Sequence, residues 1–424
     1  MAELSEVTTA ICLLYPRKPL KSLKSSGDLR DLEEFIVSTK FQNMLNKIDY
    51  GSQADFYTAK QDLDPANAGS DDRKWEIALS NTAQGISGAL GIKDWMKNVH
   101  NEPGDAAKKV FLTGDQWPKE ITKFRLKYAG MNDYNSSDLV VFAGKQGKYL
   151  YYYGVSLKKK PKPQSASPTL INNAVSKLFE SGAGENFVKE VDVERVRYFA
   201  NIVRSREFQL LLTKNGIKIN PAHMKLPDEK LIKTKPPGQT KAYIDLKGQG
   251  DEIRKWVNKQ VASNKNTFFN ELKSIFEANT KKAKAMADIL AERVLKITLN
   301  EALGNIDTLN DYYFGYALVT AVGEVNTNRM TMNIHEAEVK DSGSVLCALN
   351  EINRSNPREG YRFKFNKLKT ESSTAAKVFF DLNRAGHKIM DLEIRYKGSF
   401  TSWPQFLGVL SPEFEKLLKS GKSS

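Results

Sequence analysis

Two runs, Asp138-Leu-Val-Val-Phe142 and Tyr149-Leu-Tyr-Tyr-Tyr-Gly-Val-Ser-Leu157, flank the short segment Gly144-Lys-Gln-Gly147. Val, Leu and Tyr in such runs suit a pleated, half-buried surface. The two glycines tolerate the positive φ that a tight reversal needs. An antiparallel hairpin is therefore the firmest constraint on the fold. Pairing through a short turn sets the start of the first strand beside the end of the second. Asp138 thus becomes a neighbour of Ser156 and Lys158. Side chains two apart on a strand leave the same face, so Ser156 and Lys158 point together.

Around the hairpin the apolar period alternates between helix and strand. Residues 28–48 and 72–90 repeat apolar positions at helical spacing, the second stretch through Trp75, Ile77, Leu79 and Ile86. Val110–Leu112 and Phe124–Tyr128 read as short strands. Ser167-Pro168 predicts the start of a helix over Thr169–Ser181, because proline early in a helix loses no bond. Residues 214–242, rich in Lys, Pro and Gly, read as a linker or mobile loop, and residues 251–300 as strongly helical. Beyond them the pattern predicts strands at Tyr313–Val325, Met330–Glu338, Tyr361–Leu368 and Ile389–Tyr396, with helices over Ser344–Ile352 and Thr374–Ala385. The expected fold is α/β: a mixed β-sheet flanked by helices, with an additional helical section and a C-terminal α+β region. The expected division is a core with N-terminal helices at 1–213, a basic linker and helical section at 214–300, and the α+β region at 301–424.

Composition narrows the chemistry. With 64 Lys and Arg against 50 Asp and Glu, the net charge of +14 favours polyanionic partners, since each neutralised phosphate releases counterions. The two cysteines, Cys12 and Cys347, sit in apolar settings and read as buried free thiols, too few for a Cys-rich zinc site. The four histidines show no metal-ligand spacing, which leaves a His-based zinc hydrolase without support. No run of 18 apolar residues occurs and the first residues are not leader-like, so the expectation is a soluble, cytoplasmic protein with no membrane partner.

A strand Asp with a lysine beside it suits phosphodiester cleavage. The carboxylate offers oxygen to Mg²⁺ or Mn²⁺, the metal polarises the phosphoryl oxygen, and the lysine steadies the nucleophile or offsets developing charge. The sequence Tyr134-Asn-Ser-Ser-Asp-Leu-Val-Val141, followed by Tyr153-Gly-Val-Ser-Leu-Lys-Lys-Lys160, resembles the PD-(D/E)xK nuclease superfamily. It is most similar to phage and restriction-type members with serine in the acidic slot of the second half-motif, and the likeness covers roughly residues 70–190. The resemblance implies a restriction-endonuclease-like core, a divalent metal and hydrolysis of nucleic-acid phosphodiesters in a bacterial or phage-infected cell. It sets Asp138 as the metal-binding aspartate and Lys158 as the catalytic lysine, with Ser156 orienting water or a ligand.

Ser156 is neutral, so a second carboxylate is needed. Glu76, on a helix before the first strand, is the leading candidate; Glu180 or Glu185, after the lysine, is the other source. Lys159, Lys160 and Lys162 are expected on the DNA backbone. The stretch Leu392–Phe406 adds Arg395, Lys397 and Ser399 for phosphates, with Tyr396 or Trp403 to stack on bases. Two rival half-motifs, Asp245-Leu-Lys247 and Glu338-Val-Lys340, carry the acidic residue that Ser156 lacks, but neither follows an Asp-led strand and a Gly hairpin. A non-catalytic DNA-binding protein and an inactive nuclease fold are the alternatives, and a homodimer is one assembly left open.

Overall fold

A computed structural model describes residues 3–245, 251–261, 274, 312–369, 377–395 and 403–420. It leaves out 46, 51–52, 65, 67–70, 102–104, 106, 115, 129–130, 135–136, 166–167, 170, 175, 177–182 and 404 within those spans. The protein is α/β, with a mixed sheet flanked by helices. The chain divides into two compact units, Met1–Pro168 with Leu295–Cys347, and Thr169–Val294 with Ala348–Ser424. The two units interleave along the chain, with a boundary at 168 and residues 301–424 shared between them.

The first unit opens with helices α1 (Leu4–Leu13), α2 (Arg17–Ser26), α3 (Leu29–Val37) and α4 (Thr39–Leu45). The single helical pattern at 28–48 is thus broken at Ser38, whose backbone is extended at ψ 138. After the short strand β1 (Asp49–Tyr50) come α5 (Gln53–Asp62) and the long α6 (Asp72–His100). Asp71 starts α6 by accepting from the Arg73 and Lys74 amides, and Asn101 ends it in the left-handed region at φ 54. Strands β2 (Lys109–Leu112), β3 (Leu126–Tyr128), β4 (Met131–Tyr134), β5 (Leu139–Gln146) and β6 (Tyr149–Lys160) follow, with Lys119–Phe124 a 3₁₀ helix where a strand was expected to begin. β7 (Ile171–Ala174) belongs to the second unit. Strands β8 (Tyr312–Asn326), β9 (Thr331–Ile334) and β10 (Glu338–Asp341) return to the first.

The main sheet runs β1-β2-β5-β6-β8-β10, with β9 paired to β8. β5 and β6 form the expected antiparallel hairpin, Leu139 opposite Val155 and Gln146 opposite Tyr149. Gly147 turns the chain at φ 58, while Gly144, at φ 126, marks a bulge inside β5. β6 then pairs in parallel with β8, which aligns Ser156 with Leu318 and Lys158 with Thr320. One sheet face packs Val141, Tyr153, Val155 and Leu157 against α1 and α6. The other buries Val140, Tyr152, Phe314 and Tyr316 against Ile121 and Phe124. Close approach of α1 and α6 depends on Gly85, where a Cβ would fall 2.5 Å from the Thr8 Oγ. Thr8 Oγ donates to the Asn81 carbonyl at 2.8 Å across the same contact.

In the second unit, β11 (Arg362–Lys369), β12 (Lys377–Arg384), β13 (His387–Arg395), β14 (Gln405–Leu410) and β7 form an antiparallel sheet in that order. Two sequence expectations fail here. The helix predicted over Thr169–Ser181 gives way at Ile171–Ala174 to β7, which pairs with Gly408–Gln405; residues 170, 175 and 177–181 lie outside the described residues. Where a helix is predicted over Thr374–Ala385, Lys377–Arg384 form strand β12, paired with β11 and β13 and burying Phe380 and Leu382; residues 374–376 lie outside the described residues. Long-range pairing overrides local helical spacing in both cases. Ala385 and Gly386, at φ 48 and 78, supply the turn into β13. The expected mobile loop at 214–242 contains helices Pro221–Met224 and Asp228–Lys233, held by Arg204 bonds to the Met224 and Leu226 carbonyls and to Asp228. Of the stretch 251–300, the described helix is Asp251–Val261. Both cysteines are free, but only Cys12 is buried: Cys347 is exposed, on the far side of Ser342–Ser355 from Val345, Ala348, Leu349 and Ile352.

Candidate active site

Asp138 immediately precedes β5, and the sheet fixes its backbone. Its amide donates to the Val155 carbonyl at 2.8 Å, and its carbonyl accepts from the Thr113 amide at 3.3 Å. Its Oδ2 then faces the end of β6 and accepts three bonds: from the Leu157 amide at 2.6 Å, Ser156 Oγ at 3.3 Å and Lys158 Nζ at 3.5 Å. The hairpin thus brings Asp138, Ser156 and Lys158 together. Gly154 lets Ser137 and the Phe314 ring close in on β6 beside them, since a Cβ there would clash with both.

The carboxyl group that acts on Asp138 is Glu6, from the first turn of α1. Glu6 Oε2 accepts from the Glu3 amide at 2.9 Å, closing a capping box at the helix start. Burial pushes the Glu6 carboxyl up to about 8, and the Asp138 carboxylate adds to the rise; the Glu3 amide and Lys158 oppose it. Asp138 is also raised above the usual aspartate range, by burial first, against the opposing pull of Lys158 and the Leu157 and Ser156 bonds. Two carboxyls with raised affinity for protons and one lysine share this end of the sheet. Such a pair favours any cation that relieves its repulsion.

Glu76 stands elsewhere. It is exposed near the start of α6, Ile77 beside it is 48% exposed, and Trp75 donates to Glu33 on α3 at 3.1 Å. Trp75 therefore ties α6 to a neighbouring helix. Glu180 lies outside the described residues, and Glu185 belongs to the second unit, paired with Lys189 at 2.8 Å. The signal for Glu6 was present as Glu3-x-x-Glu6 before an apolar run, but only tertiary packing brings that helix end to Asp138.

β6 carries the lysine run through Lys160. Lys159 points away from Lys158 and reaches Asn81 at 3.3 Å and Glu3 at 2.8 Å, joining β6 to α6 and α1. Lys160 is buried, and Lys162 is exposed beyond the strand end. Arg395 lies on β13 in the second unit, 3.4 Å from Glu393, while Tyr396, Lys397 and Ser399 lie outside the described residues. Trp403 sits under the Arg195 guanidinium at 5.2 Å. Of the rival half-motifs, Asp245 is described in the second unit and Lys247 is not; Glu338 and Lys340 lie on β10. Among the described residues, no three Asp, Glu, His or Cys side chains converge as a metal cluster, and no helix is long and apolar enough to cross a membrane. No protein-family model, curated protein sequence or solved structure matches the chain.

Proposed function

We propose that this chain is a metal-dependent nuclease that hydrolyses DNA phosphodiester bonds, with Asp138, Glu6 and Lys158 as its working groups. One observation carries the reading: Asp138 Oδ2 sits within 3.5 Å of Lys158 Nζ, and the Glu6 carboxyl bears on the same aspartate. Their donors suit a hard cation, being two carboxyl groups and the Ser156 hydroxyl, with no sulfur or imidazole required. Bound Mg²⁺ or Mn²⁺ would supply Lewis acidity at the phosphoryl oxygen and a more acidic water.

The protein's own part is positional and electrostatic. Asp138 and Glu6 would hold the cation, and Ser156 would keep Asp138 oriented through its hydroxyl. Lys158, fixed at a strand end, would stabilise charge developing on the attacked phosphate. The net charge of +14 supports a polyanionic substrate, and Lys160 and Lys162 extend the basic run beyond Lys158. The mixed sheet flanked by helices is compatible with the restriction-endonuclease-like core that the sequence resemblance implies. That finer assignment, a phage or bacterial cytoplasmic setting and homodimer formation belong to the proposal.

A second reading has its own observation. Asp138 Oδ2 already accepts three bonds, one from the Lys158 ammonium, which competes with a cation for the same oxygen. An inactive nuclease fold that binds DNA follows if the lysine keeps that position. Purified protein with supercoiled DNA, in Mg²⁺ or in EDTA, separates the readings: metal-dependent nicking or linearisation supports the enzyme, and binding without turnover supports the inactive fold.

A further inference from the structure

The sheet face that carries Asp138 continues across β8 to β10. Register fixes this placement: Lys158 pairs with Thr320, and Thr320 pairs with Glu338. Cross-strand partners share a face, and so do residues two apart on one strand. Ser156, Lys158, Lys160, Thr320 and Glu338 therefore stand on one surface. Lys160 lies about 6.6 Å along the strand from Lys158, at about 3.3 Å per residue.

Lys160 has an unusual setting for a lysine. Its side chain is 5% exposed, and among the described residues its ammonium meets only Glu338, at 3.6 Å, beyond ordinary hydrogen-bond reach. The stem is packed away, and the ammonium has three donors to satisfy, with Glu338 the acceptor at hand. Glu338 is 52% exposed, so it can swing out to water at little cost. A more highly charged acceptor arriving on this face would find a preplaced cation whose present partner is loose.

We propose that Lys160 is a phosphate-binding residue held in reserve by Glu338, and that the phosphate beside the reacting one displaces this carboxylate when DNA engages. The inference rests on the nuclease reading of the site for its substrate class. Glu338 then acts as an internal competitor, so DNA affinity is lower than the basic face alone would give. Lys159, tied to Asn81 and Glu3 on the opposite side, takes no part.

The test is a double-mutant cycle on DNA affinity, measured by fluorescence anisotropy with a labelled duplex in EDTA, where no cleavage intrudes. Glu338→Gln is expected to tighten binding about three- to tenfold at low salt. Lys160→Met, which keeps the stem length, is expected to weaken it about fivefold or more and to flatten the log–log salt slope by about one. In the Lys160→Met background, Glu338→Gln should change nothing. Glu336→Gln is the control for general charge, since Glu336 is 92% exposed nearby, and it should leave affinity within about twofold. If Glu338→Gln acts equally with and without Lys160, or no more strongly than Glu336→Gln, the pair is merely a strand tie and the inference falls. If wild-type protein binds no DNA at all, the nuclease reading falls with it; binding without coupling overturns the inference alone.

Discussion

Replacing Glu6 with glutamine should remove a pH dependence from the stability of the metal-free protein. Folded, Glu6 is raised from its ordinary 4.5 to about 8, chiefly by burial and then by the Asp138 carboxylate. The folded state therefore keeps a proton that the unfolded chain has already lost. Stability from this group is fully present below about pH 4.5 and is lost as pH rises through about 8. At about 1.4 kcal/mol per unit, the full rise sets a ceiling of about 5 kcal/mol. Part of the loss precedes pH 5 and solvent access at the helix end lowers the rest, so a fall of about 2–4 kcal/mol between pH 5 and pH 9 is expected. Glutamine is neutral at every pH and can still accept the Glu3 amide in the capping box. The variant should thus be nearly flat with respect to this group, and more stable than wild type at pH 9 in EDTA. Adding Mg²⁺ should restore wild type, because a ligand that binds only the folded state stabilises it, and should help the variant far less. Urea unfolding at pH 5, 7 and 9, with EDTA or Mg²⁺, reads all of this. Parallel pH curves for wild type and Glu6→Gln would refute the paired-carboxyl site.

Three further outcomes are expected. Lys158→Ala should lower DNA cleavage about a hundredfold or more while far-ultraviolet dichroism and DNA binding stay close to wild type; Lys247→Ala, in the rival half-motif, should cut normally in the same gel assay. DNA affinity should fall steeply with salt, with a log–log slope of about −3 to −5 for roughly three to six phosphate contacts, and a flat titration would assign the basic surplus to solubility. Gly154→Ala should cost about 1–3 kcal/mol in urea unfolding, because the new methyl meets Ser137 Oγ at 2.4 Å and the Phe314 ring at 2.7 Å; an unchanged midpoint would mean the sheet yields there freely.

The hairpin was legible because its evidence is local: alternating apolar residues, two glycines, and an aspartate and lysine at matching ends. The long helix of Trp75 and Ile86 was legible for the same reason, through its apolar period over 72–90, although it runs on to His100. What sequence could not supply was partnership across the chain. Ile171–Ala174 and Lys377–Arg384 have spacing compatible with a helix, and only their neighbours β14, β11 and β13 make them strands. The same limit applies to the second carboxylate. Position before the first strand points to Glu76, which is exposed, while the carboxyl that bears on Asp138 is Glu6, at the start of a helix that packs on α6. Lys159 shows the finer failure. Alternation on β6 could have sent it to the opposite face from Lys158, had the lysine run been read as strand.

The most direct measurement is cleavage of supercoiled DNA by pure protein, run side by side for wild type and Asp138→Asn with Mg²⁺, Mn²⁺ or EDTA. Nicked or linear product is expected from wild type with either metal and from neither protein in EDTA, while Asp138→Asn should lose about a hundredfold or more at unchanged fold and DNA affinity. Cleavage that persists in EDTA, or an Asp138→Asn protein that cuts at the wild-type rate, would contradict a metal centre built on Asp138.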